Sequence, residues 1–394
     1  MNSAPESPGR PRLLIISASV GGGHNAAARA ILAELERRGG NVHAEMVDAL
    51  DFTPGWFRAY YAGGYALAVS RFPWLYGLGF RLTNLPRGTR RAVSEKLRLA
   101  WERLHTRRLV RYVADWRPDV ILHTHFLAPP VLGRRIAAGA LPARQFVAVT
   151  DNDAHRWWYA ESVERYFLPA ELTRRSLDRW DVPAERSRVT GMPIHPKWTR
   201  PLPPRAEILK QWNLPDRRIV LLSGGTEFVC GPVLRIARQL AAACPDACVV
   251  VLGGRNKRLL GRLSALPEVK DRRIVPQGFT DRAHELAEVC ELMITKAGGA
   301  TTAECLSKGV PMVLLKPVPG QERDNARHFA RHGAATIARG AAGAVAEARR
   351  LLKDAAAREK MSAAAHGLYL PGAGTIVEEL LAVLNASVQS RPTS

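Results

Sequence analysis

The sequence predicts an α/β protein made of two doubly wound, Rossmann-like parallel sheets facing a central cleft. Three observations predict it. Short apolar runs alternate with helical stretches along most of the chain, and a proline-rich break at 193–204 separates two such series. Each series opens with a strand, a glycine-rich turn and a helix. Buried strands alternating with helices imply a parallel sheet covered on both faces. In such sheets, ligands bind beyond the carboxyl ends of the strands.

The first series begins with the apolar run Arg12–Ala18, which is interrupted at Gly21–Gly23 and followed by helical spacing over Asn25–Arg38. Val42–Val47, Val120–Thr124 and Gln145–Val149 read as further strands, and Arg90–Asp115 as one long helical segment. After the stretch MPIHPKWTRPLPPR, the alternation restarts with Arg218–Leu222, Ala247–Leu252, Arg273–Pro276, Leu292–Ile294 and Pro311–Leu315. At 394 residues the chain fits two domains of ordinary size, expected at 11–195 and 205–385.

Composition narrows the class. An apolar share of 46% and a charged share of 24% are those of a globular protein. The net charge of +21 favours phosphate-bearing partners: a nucleotide, an anionic lipid surface or nucleic acid. The basic residues are spread over both halves instead of forming a stripe with stacking aromatics, which argues against a nucleic-acid module. Cys230, Cys244, Cys248, Cys290 and Cys305 lie mostly in apolar surroundings with no CxxC pair, as expected of free thiols in a reducing cytoplasm. The first ten residues are polar and do not read as a signal peptide. No uncharged apolar run reaches the roughly 18 residues of a membrane span.

Three glycine-rich loops carry candidate chemistry. In SASVGGGHNAAARA, Gly22 and Gly23 sit between a strand and a helix, where free amides favour an anion or oxyanion. The loop is neither GxGxxG nor GxxxxGK[ST]. His24 on it has the right chemistry to take a proton near neutral pH; a histidine that merely caps the helix is the competing reading. Gly224, Gly225 and Thr226 follow the first strand of the second half, and Lys296, Gly298, Gly299, Thr301 and Thr302 follow a later one. The amides and threonine hydroxyls of this last loop suit a diphosphate. Glu304, one turn beyond Ala300, suits ribose hydroxyls, or is an ordinary solvated helix carboxylate. No cluster has metal-ligand spacing, and His123 and His125 read as structural.

These residues resemble a known family. IISASVGGGHNAAARAI (15–31) is similar to the N-terminal signature of the monogalactosyl- and diglucosyl-diacylglycerol synthases. VAVTDNDAHRWWYAESVERYFLPAE (147–171) resembles their middle segment, and 278–329 resembles their donor site and that of their peptidoglycan-intermediate relative. The resemblance implies a GT-B fold of family 28 type and an inverting transfer from a UDP-sugar to a membrane lipid, with diacylglycerol as the expected acceptor. It implies His24 as the base or acceptor-activating residue; on physical grounds Asp151 or a nearby carboxylate would orient it. It implies Gly278 and Phe279 at the uracil, Gly298, Gly299 and Thr301 at the diphosphate, Glu304 at the ribose, and Gln321 and Glu322 at the sugar hydroxyls. UDP-sugar is then a substrate, and no cofactor or metal is expected, because Lys296 and a helix terminus supply the positive charge. The chain departs from the pattern at Gly299, where the lipid synthases usually carry proline, and at Glu164–Arg165.

Pro54–Phe80 concentrates aromatics, with arginines in and after it (Arg58, Arg71, Arg81, Arg87, Arg90 and Arg91). That combination suits an anionic membrane surface, here the inner face of the cell membrane; an aromatic core is the plainer alternative. Two other readings compete. One is transfer of UDP-GlcNAc to a polyprenyl-linked lipid or a soluble epimerisation, and the other is a non-catalytic basic membrane-binding protein.

Overall fold

The computed structural model describes residues 10–20, 22–64, 79, 83–84, 89–224, 232–315 and 321–389. The chain divides into two compact units, Met1–Pro196 with Pro371–Ser394, and Lys197–Leu370. The division falls inside the proline-rich stretch. The second expected domain, 205–385, differs from the second unit at its end, because residues from 371 onward belong to the first.

In the first unit the strands are β1 (Arg12–Ser17), β2 (His43–Asp48), β3 (Val120–His123), β4 (Arg144–Ala148), β5 (Val163–Leu168) and β6 (Ser187–Val189). They pair in parallel in the order β2-β1-β3-β4-β5-β6. β1 shows why the sequence reads as a run instead of an alternation. Leu13 and Ile15 enter one core cluster, Leu14 and Ile16 the other, so both faces are apolar. β1 lies between β2 and β3, and this reversal of winding opens a crevice beyond its carboxyl end.

The Arg90–Asp115 helical segment is two helices, Thr89–His105 and Arg107–Trp116. The break is at buried Thr106, whose hydroxyl and amide both return to the Glu102 carbonyl. The C-terminal helix, Gly372–Gln389, contributes Ile376, Val377, Leu380 and Leu384 to the core beneath β1. Residues 355–386 are long and apolar enough for a membrane span by composition, but Tyr369–Pro371 interrupts the helix and its apolar face is used by this core. Arg38 donates to the Gly374 carbonyl, and Glu379 takes Arg165 and Arg188. Gly372 passes so close to Gly191 that a Cβ would lie 2.4 Å from its carbonyl oxygen.

The second unit holds β7 (Arg218–Ser223), β8 (Ala247–Gly254), β9 (Ile274–Gly278), β10 (Cys290–Thr295), β11 (Met312–Leu315) and β12 (Ala335–Ala338). Their parallel order is β12-β11-β10-β7-β8-β9. Its switch point lies between β7 and β10, so the loops after Ser223 and Thr295 flank the crevice.

Candidate functional site

In the first unit, the Gly23–Arg38 helix starts at the switch point beside β1 and β3. Exposed Gly22 is its N-cap residue and supplies no side chain to the free amides. The loop is fixed by polar contacts: Asp48 accepts from Ser19 through both its backbone N–H and its hydroxyl, and Asn25 bridges Ser17 and Ser19.

His24 Nδ1 lies 2.9 Å from the Thr124 carbonyl and 2.7 Å from Thr150 Oγ1. A carbonyl only accepts, so Nδ1 carries the proton and Nε2 the free lone pair. No described residue partners Nε2. Burial pushes the imidazole down to about 4 from its usual 6.5, with the Thr124 bond opposing. At neutral pH it is an uncharged base.

Asp151 is the carboxylate expected to orient the imidazole. It accepts from the Trp158 indole at 2.9 Å, whereas Thr150, one residue earlier, reaches the imidazole. His125 also joins the site, with its ring edge-on to His24 at 4.6 Å between centroids. Its Nδ1 accepts from the Leu127 amide, so its proton is on Nε2, which is buried without a partner. Its own pKa is driven well down by burial and by His24. His123, by contrast, points its Nε2 at Gln145 within the sheet. The two part because His123 is the last residue of β3, whereas His125 lies in the loop beyond it. His155 Nδ1 caps the turn at Trp157, and its Nε2 meets Thr83.

In the second unit, the Gly299–Lys308 helix begins at the switch point after β10, with Gly298 as an N-cap lacking a side-chain bond. The amides of Gly299, Ala300 and Thr301 are the unsatisfied donors of its first turn. Thr302 does not join them: it is buried, and its hydroxyl bonds back to the Gly298 and Gly299 carbonyls. Lys296 folds over Gly298 and pairs with Glu322 at 3.0 Å. Asn325 Nδ2 holds the loop by donating to the Ala297 carbonyl.

The Glu304 carbonyl accepts from Ser307 Oγ, but its carboxyl has no hydrogen-bond or ion-pair partner among the described residues. Burial raises its carboxyl to about 8, with Lys197 pulling the other way. Phe279, just past Gly278 at the end of β9, is 55% exposed and has the Arg255 guanidinium 4.6 Å over its ring. Gly224 ends the described part of its loop; Gly225 and Thr226 lie outside the described residues, as does the Gln321 side chain.

Chemically, the first unit presents a neutral imidazole with a free Nε2. The second presents an uncapped helix terminus with a lysine, an isolated carboxyl and an exposed aromatic face. Asn325, Thr150, His125 and Arg255 are additions to the residues expected. Arg255 had no motif to mark it, whereas Thr150 adjoins the Asp151 motif and His125 belongs to a pair read as structural.

Comparison with known proteins follows the same division. Residues 24–194 match the monogalactosyldiacylglycerol (MGDG) synthase family, and 220–366 match the glycosyltransferase family 28 C-terminal domain. A processive diacylglycerol beta-glucosyltransferase of Bacillus cereus (strain ATCC 14579) is 27% identical over 97% of this chain and 96% of that one. Among solved structures, S. aureus MnaA with UDP has a TM-score of 0.64 at 16% identity, covering 95% of this chain and 97% of the other. Acinetobacter baumannii MurG has a TM-score of 0.59 at 16% identity, covering 95% and 99%. These structures share the fold, two Rossmann-like domains of the GT-B kind. Two domain matches in series, on two sheets whose switch-point loops carry the expected motifs, make the chain a glycosyltransferase, similar in its first half to the monogalactosyldiacylglycerol synthases and in its second to family 28.

Proposed function

We propose that the enzyme moves a hexose from a UDP-sugar to diacylglycerol with inversion, at the inner face of the cell membrane. The observation that carries the donor half is the uncapped helix at Gly298, with Lys296 at its mouth and an unpartnered Glu304 on the same helix. Free amides and a cation suit a diphosphate. A carboxyl without partners suits the two ribose hydroxyls, and Phe279 offers a face to the base. Gln321 and Glu322 would read the sugar.

His24 Nε2 takes the proton of the acceptor hydroxyl as the hydroxyl oxygen attacks the anomeric carbon and the UDP oxygen leaves. A base with a pKa near 4 has little thermodynamic pull of its own. The negative charge that enters with the donor raises its proton affinity at the moment of transfer. Preorganised amides stabilise the departing diphosphate. Lys296, released from Glu322, supplies the charge that a metal supplies elsewhere, so the reaction is proposed to run without one and with no cofactor.

The acceptor assignment draws on the B. cereus relative, named as acting on diacylglycerol. A membrane site is supported by Trp56, Tyr60, Leu97, Trp101 and Leu104, large apolar side chains 47–67% exposed on the first unit. Residues 65–78 and 80 of the aromatic stretch, with Arg71, Arg81 and Arg87, lie outside the described residues.

The test is turnover with anionic vesicles containing diacylglycerol, a panel of UDP-sugars and a chelator, following UDP release and glycolipid together. One donor giving a glycolipid, lost in His24→Ala, supports the reading and names the sugar. UDP release without glycolipid moves the acceptor to a polyprenyl lipid or to water. No turnover with any donor refutes the assignment.

A further inference from the structure

The fold buries a polar group beside His24 without satisfying it. His125, in the loop beyond β3, is 2% exposed. Its Nδ1 accepts from the Leu127 amide at 3.1 Å, so the ring's one proton sits on Nε2. That Nε2–H has no partner among the described residues. Phe126, Tyr61 and Trp158 stand around the ring at 4.1, 6.1 and 6.4 Å between centroids, so the surroundings are largely apolar.

Buried donors are nearly always bonded, because a missing partner costs the full desolvation of the group. His155 shows the ordinary outcome. It uses the same local motif, Nδ1 accepting from the amide two residues on, and its Nε2 meets Thr83. His125 differs in where it stands: its ring is edge-on to the His24 imidazole, 4.6 Å between centroids. A donor beside the base meets the molecule that the base meets. It is poorly suited to the attacking oxygen itself, because a bond there would occupy a lone pair and weaken the nucleophile. It is well suited to an oxygen next to that one. In a diacylglycerol the carbon beside the free hydroxyl carries an ester, whose carbonyl oxygen only accepts.

We propose that His125 Nε2–H binds the ester carbonyl nearest the acceptor hydroxyl, and so selects an acylated alcohol and holds its hydroxyl against His24 Nε2. This rests on the lipid-acceptor reading above and names the feature of the acceptor that the first unit recognises. Two bonds to one glycerol fix the rotation of its hydroxyl as well as its position, which one bond to His24 does not. Binding also satisfies the buried donor. An acceptor without the carbonyl loses the bond and leaves Nε2–H unpaired in a closed site, so it is penalised on both counts.

The test measures sugar transfer by the full chain, in detergent micelles, to three acceptors: a short-chain diacylglycerol, its dialkyl ether and a long-chain primary alcohol. The donor is the UDP-hexose of the panel that turns over fastest. His125→Phe keeps a ring and removes the donor, and His125→Gln returns an N–H at a similar reach. In kcat/KM the wild type should prefer the diester to the diether by about 10-fold. His125→Phe should lose about that factor on the diester and little on the ether or the alcohol, so that the preference disappears. His125→Gln should recover part of it. The wild-type comparison of diester with diether stands by itself if the phenylalanine variant fails to fold. Equal use of diester and diether by the wild type overturns the proposal and leaves the lipid acceptor in place. So does an equal loss on all three acceptors in His125→Phe, which would make His125 a support of His24, or no loss on any. Transfer to none of the three by the wild type overturns the lipid-acceptor reading and the proposal with it.

Discussion

Glu304→Gln separates what the donor site needs from what the fold prefers. The Glu304 carboxyl stands at about 8 in the folded chain against the usual 4.5, because burial penalises the anion and Lys197 only partly compensates. A raised acid stabilises the fold fully below the unfolded value and loses that contribution as pH rises through the folded one. The window is therefore pH 4.5 to about 8. At 1.36 kcal/mol per pH unit the interval sets a ceiling of about 5 kcal/mol. Glu304 is only part-buried by exposed area, so screening leaves about 2–3 kcal/mol of it. Glutamine has the same shape and cannot ionise. Urea unfolding at pH 5, 7 and 9 should find the variant within about 0.5 kcal/mol of the parent at pH 5 and about 2–3 kcal/mol more stable at pH 9. Stabilisation by UDP, measured in the same series, should fall in the variant because one hydroxyl partner is weakened. A stability difference independent of pH, or a less stable variant at pH 9, would refute the desolvation argument. Unchanged UDP stabilisation would remove Glu304 from the ribose.

Three further outcomes follow from the same geometry. His24→Ala should lower kcat/KM by about 10²–10⁴-fold, and in the parent the acid limb of kcat/KM should lie near pH 4, since the neutral base persists down to about that value; a limb at 6.5 would contradict the buried imidazole. Asn325→Ala removes the bond to the Ala297 carbonyl and leaves the Gly298 loop less fixed, so steady-state kinetics should show KM for the donor rising several-fold with a smaller change in kcat. Gly372→Ala places a Cβ 2.4 Å from the Gly191 oxygen, and urea unfolding should register a loss of about 1–3 kcal/mol as the C-terminal helix shifts.

How much of this was legible in the sequence depended on whether the deciding force was local. β1, β3, β7 and β10 are covered on both faces, so burial alone writes them as apolar runs. β5 reads VERYFL, and its Glu164 and Arg165 interrupt the run. Those charges are consumed by partners distant in sequence, Arg144 and Glu379, which no local pattern announces. β6 is three residues at a sheet edge and gives too short a signal to read. The C-terminal helix falls largely within the second domain expected from the sequence, yet it belongs to the first unit. Periodicity reports that a face is apolar and is silent on what covers it. Its attachment rests on Arg38 reaching Gly374, on Glu379 taking two arginines, and on the glycine contact at 191 and 372.

The site divides in the same way. Helix starts that leave backbone amides free declare themselves by glycine, so those at Gly22–Gly23 and Gly298–Gly299 could be placed from sequence alone. Side chains that orient others do not. A carboxylate beside a histidine is the familiar arrangement, which made Asp151 the natural expectation, yet the groups seen bonded to Nδ1 are the Thr124 carbonyl and Thr150. Thr150 and the Thr124 carbonyl fix the ring without adding charge, and burial then keeps it neutral. His125, neutral as well with its Nε2–H unpartnered, adds a donor to the same apolar surroundings, also without charge. Both groups bonded to the imidazole, the Thr124 carbonyl and the Thr150 hydroxyl, are uncharged. If His24 is the base of the proposed transfer, the donor's negative charge should raise its proton affinity, and the pH dependence of kcat, measured with donor bound, should show its acid limb above the one seen in kcat/KM.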